Sequence, residues 1–72
     1  MQLRLFNSKM TLFGDTQITI AKYLGITRQA LANKLTGKST FRQDEIDMII
    51  TRWNLTPDDV VQIFFNNDDD EG

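Results

Sequence analysis

The chain contains neither cysteine nor histidine among its 72 residues. Without cysteine it can form no disulfide bond and no thiolate metal site. Without histidine it lacks the usual general base of enzymes and the commonest neutral metal ligand. The acidic residues Asp44, Glu45 and Asp47 fit the start of a helix, and no nucleophile or phosphate-binding loop accompanies them. The composition therefore predicts a protein that is not an enzyme and that binds no metal and no cofactor.

Long hydrophobic segments are also absent. No apolar run approaches the roughly 18 residues that a membrane-spanning helix needs. Residues 1–6 lack the apolar core and the small-residue cleavage site of a signal peptide. A length of 72 residues limits the chain to one domain with a small core. We therefore expect a single-domain cytoplasmic protein that does not bind membranes.

The charges are unevenly distributed along the chain. The formal net charge is −2, yet residues 1–56 carry eight basic and four acidic side chains. Residues 57–72 carry six acidic side chains and no basic one. Five basic residues and no acidic residue lie from Lys22 to Arg42. A basic middle segment of this kind indicates an anionic partner, whereas the acidic end does not.

Apolar periodicity and capping signals predict an all-α fold, a compact bundle of about five short helices. We predict these helices over residues 3–13, 17–24, 28–35 and about 43–53, and a last one that begins at Pro57. In the last helix, Val60, Val61 and Phe64 are expected to form the apolar face. Residues 66–72 contain no apolar side chain and four acids, which predicts a flexible acidic tail after a domain of residues 1–65.

The segment from Thr16 to about residue 36 has the spacing of a helix-turn-helix. Gly25 can adopt positive φ and end the first helix, and Thr27 can cap the second. We expect Ala21, Ile26 and Leu31 to form the packed corner between the two helices. The small side chain of Ala21 would let the second helix approach closely.

This segment resembles the helix-turn-helix of the lambda-repressor-like family. The residues that carry the resemblance are Thr16, Gln17, Ile20, Ala21, Leu24, Gly25, Ile26, Thr27, Arg28, Gln29, Leu31, Lys34, Leu35, Gly37 and Lys38. The family contains many phage repressors, Cro proteins and XRE-type bacterial regulators. The similarity continues through Phe41, the fourth helix and residues 55–59, and so covers about residues 5–65. At Gly14–Thr16 the chain departs from the usual family spacing by one extra residue.

The resemblance implies a role for individual side chains. The second helix of the motif lies in the DNA major groove, where Arg28 and Gln29 would contact bases and Asn33 would follow one turn later. The residues expected at DNA phosphates are Gln17, Thr27, Lys34, Lys38, Ser39, Thr40 and Arg42. For each single residue, the alternative is an ordinary solvated position, and for Lys22 we favour that alternative.

Two functions of different kinds are compatible with these observations. The first is sequence-specific binding of double-stranded DNA by a phage or phage-related repressor or regulator, in the cytoplasm of a bacterium. The alternative is a protein-interaction module of the same fold, such as an antirepressor or an assembly factor. Residues 60–65 are apolar around much of a helix, so this segment is either fully buried or the contact of a weak homodimer on palindromic DNA.

Overall fold

The computed structural model of the chain describes residues 1–65, and these residues form helices without any strand. The α-helices are α1 (Leu3–Leu12), α2 (Gln17–Leu24), α3 (Arg28–Leu35), α4 (Gln43–Trp53) and α5 (Pro57–Val60). The chain continues from α5 into a π-helical segment, Val61–Phe65. The predicted all-α bundle is confirmed, and the predicted helix boundaries agree within about one residue. The predicted acidic tail, residues 66–72, lies outside the described residues.

Local hydrogen bonds explain why the helix boundaries could be predicted. Gly25 ends α2 in the left-handed region with φ of 76°, a conformation that costs glycine little. The Thr27 hydroxyl accepts a 3.0 Å hydrogen bond from the Ala30 amide and so caps α3. At the start of α5, the side chains of Thr56 and Asp59 each accept from the other's backbone amide at 3.1 Å.

The core contains apolar side chains from α1 to α4 and from the segment after α5. Its buried members are Phe6, Ile20, Ala21, Leu31, Leu35, Ile49, Trp53, Leu55 and Ile63. Phe6 and Trp53 pack edge to face, with their ring centroids 5.0 Å apart. Phe41, in the loop between α3 and α4, packs on Phe64 with centroids 5.5 Å apart. The loop is therefore fixed to the core by an aromatic side chain.

The apolar face of the last helix differs from the prediction. Val61 was expected in that face, but its surface is 52% exposed, whereas Ile63 is only 1% exposed. The helix widens to π spacing after Val60, which rotates the following side chains relative to a continued α-helix. Phe65 is 58% exposed. Of the two alternatives for residues 60–65, full burial is therefore contradicted.

The start of α1 is held against this last segment. The Gln2 amide donates a 2.8 Å hydrogen bond to the Ile63 carbonyl. Further along α1, Phe13 follows the last helical residue and remains 46% exposed, although its ring stacks on Trp53 at 6.4 Å. Within residues 1–65, no helix combines the length and the apolar character needed to cross a membrane.

Candidate nucleic-acid interface

Helices α2 and α3 are joined by a tight turn and pack against each other. The Gly25 amide donates to the Lys22 carbonyl at 3.1 Å, and the Ile26 amide donates to the Ala21 carbonyl at 3.0 Å. Ala21 and Leu31 are buried where the helices meet, and Ile26 packs on the same core. The predicted corner is therefore confirmed, and one face of α3 is fixed towards the interior.

The opposite face of α3 carries polar side chains. Arg28 and Gln29 are exposed in its first turn, and Asn33 is half-buried one turn later. The Gln29 Nε2 donates a 3.1 Å hydrogen bond to the Asn33 Oδ1, so the two amides form one unit. No ion pair or side-chain hydrogen bond joins Arg28 to another residue within the described chain. This face therefore offers a guanidinium group and two amides to a partner.

The start of α2 lies beside this polar face. A shallow cavity of about 260 Å³ is lined by Gln17, Arg28, Gln29 and Ala32. Gln17 is the first residue of α2, after the N-cap Thr16. The structure therefore brings Gln17 together with Arg28 and Gln29, three residues that the sequence assigned separately to phosphate and base contacts.

The loop after α3 presents three further predicted residues. Lys38, Ser39 and Thr40 are all exposed. The loop turns back on α3, because the amides of Lys38 and Ser39 both donate to the Asn33 carbonyl, at 2.9 Å and 3.2 Å. Gly37 makes this turn with φ of 90°. The exposed hydroxyls and the Lys38 ammonium therefore lie close to the end of α3.

Lys34 points away from this polar face. Its side chain is only 12% exposed, and its ammonium group lies 3.1 Å from the carboxylate of Glu45. The same ammonium group donates to the Thr40 carbonyl at 3.1 Å and lies 5.9 Å from the Phe41 ring centre. Glu45 is itself buried and also accepts from the Arg42 amide at 2.9 Å. Lys34 thus joins α3 to the start of α4, a role that the sequence analysis did not predict.

Arg42 has only a weak partner. Its Nε lies 3.4 Å from the Asp44 carboxylate, and both side chains are mostly exposed. Exposed ion pairs of this kind contribute little free energy, since water and salt screen them. The guanidinium group of Arg42 can therefore exchange Asp44 for another anion at little cost.

Asp15 forms a polar network that the sequence analysis missed. Its side chain, just before α2, is only 6% exposed. The carboxylate accepts from both Nε and Nη2 of Arg52, at 2.9 Å and 2.7 Å. It also accepts from the indole of Trp53 at 2.8 Å and from the hydroxyl of Thr19 at 2.9 Å. The start of α2 is thereby bonded to the end of α4.

The network also balances the negative charge of Asp15 with the positive charge of Arg52. Hydrogen bonds from the Arg52 guanidinium hold the pKa of Asp15 well below its usual range, against the opposing effect of burial, with further help from Trp53 and Thr19. In return, the Asp15 carboxylate raises the pKa of Arg52. The guanidinium also lies over the Tyr23 ring, 4.6 Å from its centre. Asp15 therefore stays ionised but paired at the start of α2.

The eight basic residues divide into two groups. Those that form ion pairs within residues 1–65 are Lys9, Lys34, Arg42 and Arg52. Those that form none within this range are Arg4, Lys22, Arg28 and Lys38. The candidate interface therefore contains two unpaired cations, Arg28 and Lys38.

No group of three or more metal-ligating side chains is found within residues 1–65.

Comparison with known proteins identifies a family for the chain. No curated protein and no solved structure matches the chain. A family model described as "Protein of unknown function (DUF739)" matches residues 2–67, which include all five helices. The chain therefore belongs to the DUF739 family.

Proposed function

We propose that the chain binds double-stranded DNA sequence-specifically and acts as a transcriptional regulator of the phage-repressor type. The observation that carries this proposal is the outer face of α3, where Arg28 and Gln29 are exposed in the first turn. An arginine can donate two hydrogen bonds to O6 and N7 of guanine, and a glutamine can pair with N6 and N7 of adenine. The lambda-repressor-like resemblance of residues 16–38 supports the same docking of α3 in the major groove.

The bond between Gln29 and Asn33 is compatible with base recognition. It uses one hydrogen of Gln29 Nε2 and leaves the second hydrogen and Oε1 available. These two groups are the ones that adenine N7 and N6 require. The Nδ2 group of Asn33 can then donate to a neighbouring base. We therefore include Arg28, Gln29 and Asn33 as base contacts.

The proposed phosphate contacts surround this face. They are Gln17, Thr27, Lys38, Ser39, Thr40 and Arg42. The Thr27 hydroxyl oxygen accepts from the Ala30 amide, so its hydrogen remains able to donate to a phosphate. Lys34 is left out of this set, because its ammonium group is already bonded to Glu45 and to the Thr40 carbonyl. Such contacts position a protein on DNA without specifying the sequence.

The chain is further proposed to bind palindromic DNA as a weak homodimer through the segment 60–65. Val61 and Phe65 are the exposed apolar side chains of this segment. Sedimentation of the wild type and of a Val61→Ser, Phe65→Ser variant, each free and with DNA, tests the dimer. We expect two wild-type chains on one site and one variant chain. A wild-type monomer in both conditions would refute the dimer.

The test of DNA binding is a selection of bound sequences from random duplex DNA. It compares the wild type with the double variant Arg28→Ala, Gln29→Ala. We expect a roughly palindromic motif for the wild type that disappears in the double variant. Lys22→Ala is the matched control, because it removes the same charge from α2 and should keep the motif. Enrichment of the same motif by the double variant would show that Arg28 and Gln29 do not select the bases.

A protein-interaction module remains the second candidate. Its support is the exposure of large apolar side chains on the surface, among them Leu12, Ile18 and Phe65. DNA binding that falls steeply with salt favours the regulator, since phosphate contacts release counterions. A folded wild type that binds no duplex at low salt would favour the interaction module.

A further inference from the structure

We propose that the DNA-binding surface extends beyond the helix-turn-helix to the start of α1, where Arg4 binds a backbone phosphate alongside Lys38. Arg4 lies outside the segment that resembles a DNA-binding motif, and the sequence analysis gave it no role. This inference rests on the proposed function and deepens it. It adds a phosphate contact from a different part of the fold.

The geometry places Arg4 at the end of α3. An open cavity of about 700 Å³ is lined on one side by Leu3 and Arg4 and on the other by Thr36 and Gly37. Gly37 directly precedes Lys38, the first exposed cation of the loop after α3. The two cations therefore lie at the same end of α3, with the cavity between α1 and the loop.

The start of α1 is held in this position. The Gln2 amide is bonded to the Ile63 carbonyl at 2.8 Å. Phe6, half a turn after Arg4, is fully buried and packs against Trp53. Because both neighbours are fixed, the backbone of Arg4 is held beside Thr36 and Gly37. A phosphate contact there would need little reordering of the chain.

The charge of Arg4 is not used within the described fold. Arg4 is exposed and forms no ion pair within residues 1–65. Lys9, on the same helix, is instead paired with Asp59 at 3.7 Å. A guanidinium group matches the geometry of a phosphate with two parallel hydrogen bonds. The exposed hydroxyls of Ser39 and Thr40 in the adjoining loop can donate to the same anion, so we assign the phosphate backbone of DNA as the occupant.

The difference between Arg4 and Lys9 supplies a matched test. Arg4→Ala and Lys9→Ala each remove one positive charge from α1. Binding of a fluorescein-labelled random-sequence duplex is titrated from about 50 to about 200 mM salt, the range over which phosphate contacts change affinity strongly. The slope of log K against log salt is negative, and for Arg4→Ala we expect its magnitude to decrease by about 1. Affinity at the low-salt end should fall by up to about tenfold.

The control variants have different expected outcomes. Lys9→Ala should keep the wild-type slope, and Arg4→Lys should restore most of it, since a lysine also neutralises a phosphate. Thermal melts check that each variant is folded. Because Arg4 is exposed, its loss should shift the melting temperature by no more than about 4 °C.

Two negative results can be told apart. If Arg4→Ala and Lys9→Ala share the wild-type slope while the α3 double variant still loses its selected motif, only the role of Arg4 is overturned. If the folded wild type binds no duplex even at the lowest salt, the proposed function fails and this inference fails with it. A smaller magnitude of the salt slope for Arg4→Ala, with the wild-type slope for Lys9→Ala, is the supporting result.

Discussion

The two polar regions near the start of α2 use their hydrogen-bonding groups differently. At the start of α2, the carboxylate of Asp15 is enclosed and bonded to Arg52, Trp53 and Thr19. On the outer face of α3, Arg28 has no ion pair within the described residues, and Gln29 is bonded only to Asn33 there. Buried polar groups need internal partners to avoid a desolvation cost, whereas exposed ones do not. The first region should therefore stabilise the fold, and the second should be available to a partner.

The largest effect is expected from Asp15→Asn. The change removes the charge of an enclosed carboxylate that accepts two hydrogen bonds from Arg52 and one from Trp53, which should lower the free energy of unfolding by about 3 kcal/mol. Urea denaturation measures the loss as a shift in midpoint. Asp58→Asn is the control, because Asp58 is an exposed acid at the start of α5 and should change stability by no more than about 0.5 kcal/mol. Equal midpoints for the two variants would show that the network does not stabilise the fold.

A slightly smaller effect is expected when acid protonates the same carboxylate. The pKa of Asp15 is lowered in the folded chain, first by the hydrogen bonds from Arg52. Because the pKa of Asp15 is lower in the folded chain, its stabilising effect is complete above the pKa of the unfolded chain, about 4. The effect is lost as pH falls towards the lower pKa of the folded chain. Unfolding experiments at about pH 7 and about pH 3 should therefore show a larger loss for the wild type than for Asp15→Asn. Parallel losses in the two chains would contradict the assignment to Asp15.

On the other side of the comparison, Arg28→Ala should weaken binding without weakening the fold. Loss of the proposed bidentate base contact should reduce affinity for the selected sequence by about 2 kcal/mol. Stability should change by no more than about 0.5 kcal/mol, because the side chain is exposed. The measurements are a duplex titration and a urea denaturation on the same preparation. A destabilised variant with unchanged affinity would reverse the roles that we assign to the two regions.

The same contrast explains what the sequence could predict. The positions of Gly25, Thr27 and Pro57 carry local signals, because their effects act on the neighbouring backbone, and these signals gave the helix boundaries. The outer face of α3 followed from the burial of Leu31 and Leu35 on the other face. Once the buried face of a helix is predicted, its exposed positions follow without information on the rest of the fold.

The missed features depend on distant parts of the chain. Asp15 and Arg52 are 37 residues apart, and no pattern in the sequence pairs them. One extra residue at Gly14–Thr16 departs from the spacing of the lambda-repressor-like family, but this departure does not reveal that Asp15 pairs with Arg52. Sequence reasoning places Lys34 with the other basic residues at DNA phosphates. Its partner Glu45 is brought beside it only by the packing of α3 on α4, which the sequence does not reveal. The exposure of Val61 depends on a π-helical widening with no local signal that we identified.

The smallest effect is expected from the acidic residues that follow the described fold. Residues 66–72 carry four acids and no base, and deleting them should raise affinity for random-sequence duplex at low salt by roughly three- to tenfold. The physical reason is less repulsion of phosphate by the chain, so the gain should shrink at salt concentrations that shorten the Debye length below about 10 Å. A full-length variant in which Asp68, Asp69 and Asp70 become Asn and Glu71 becomes Gln is the control for length. Equal gains in the two variants assign the effect to charge, whereas unchanged affinity in both would show that these acids do not influence DNA binding.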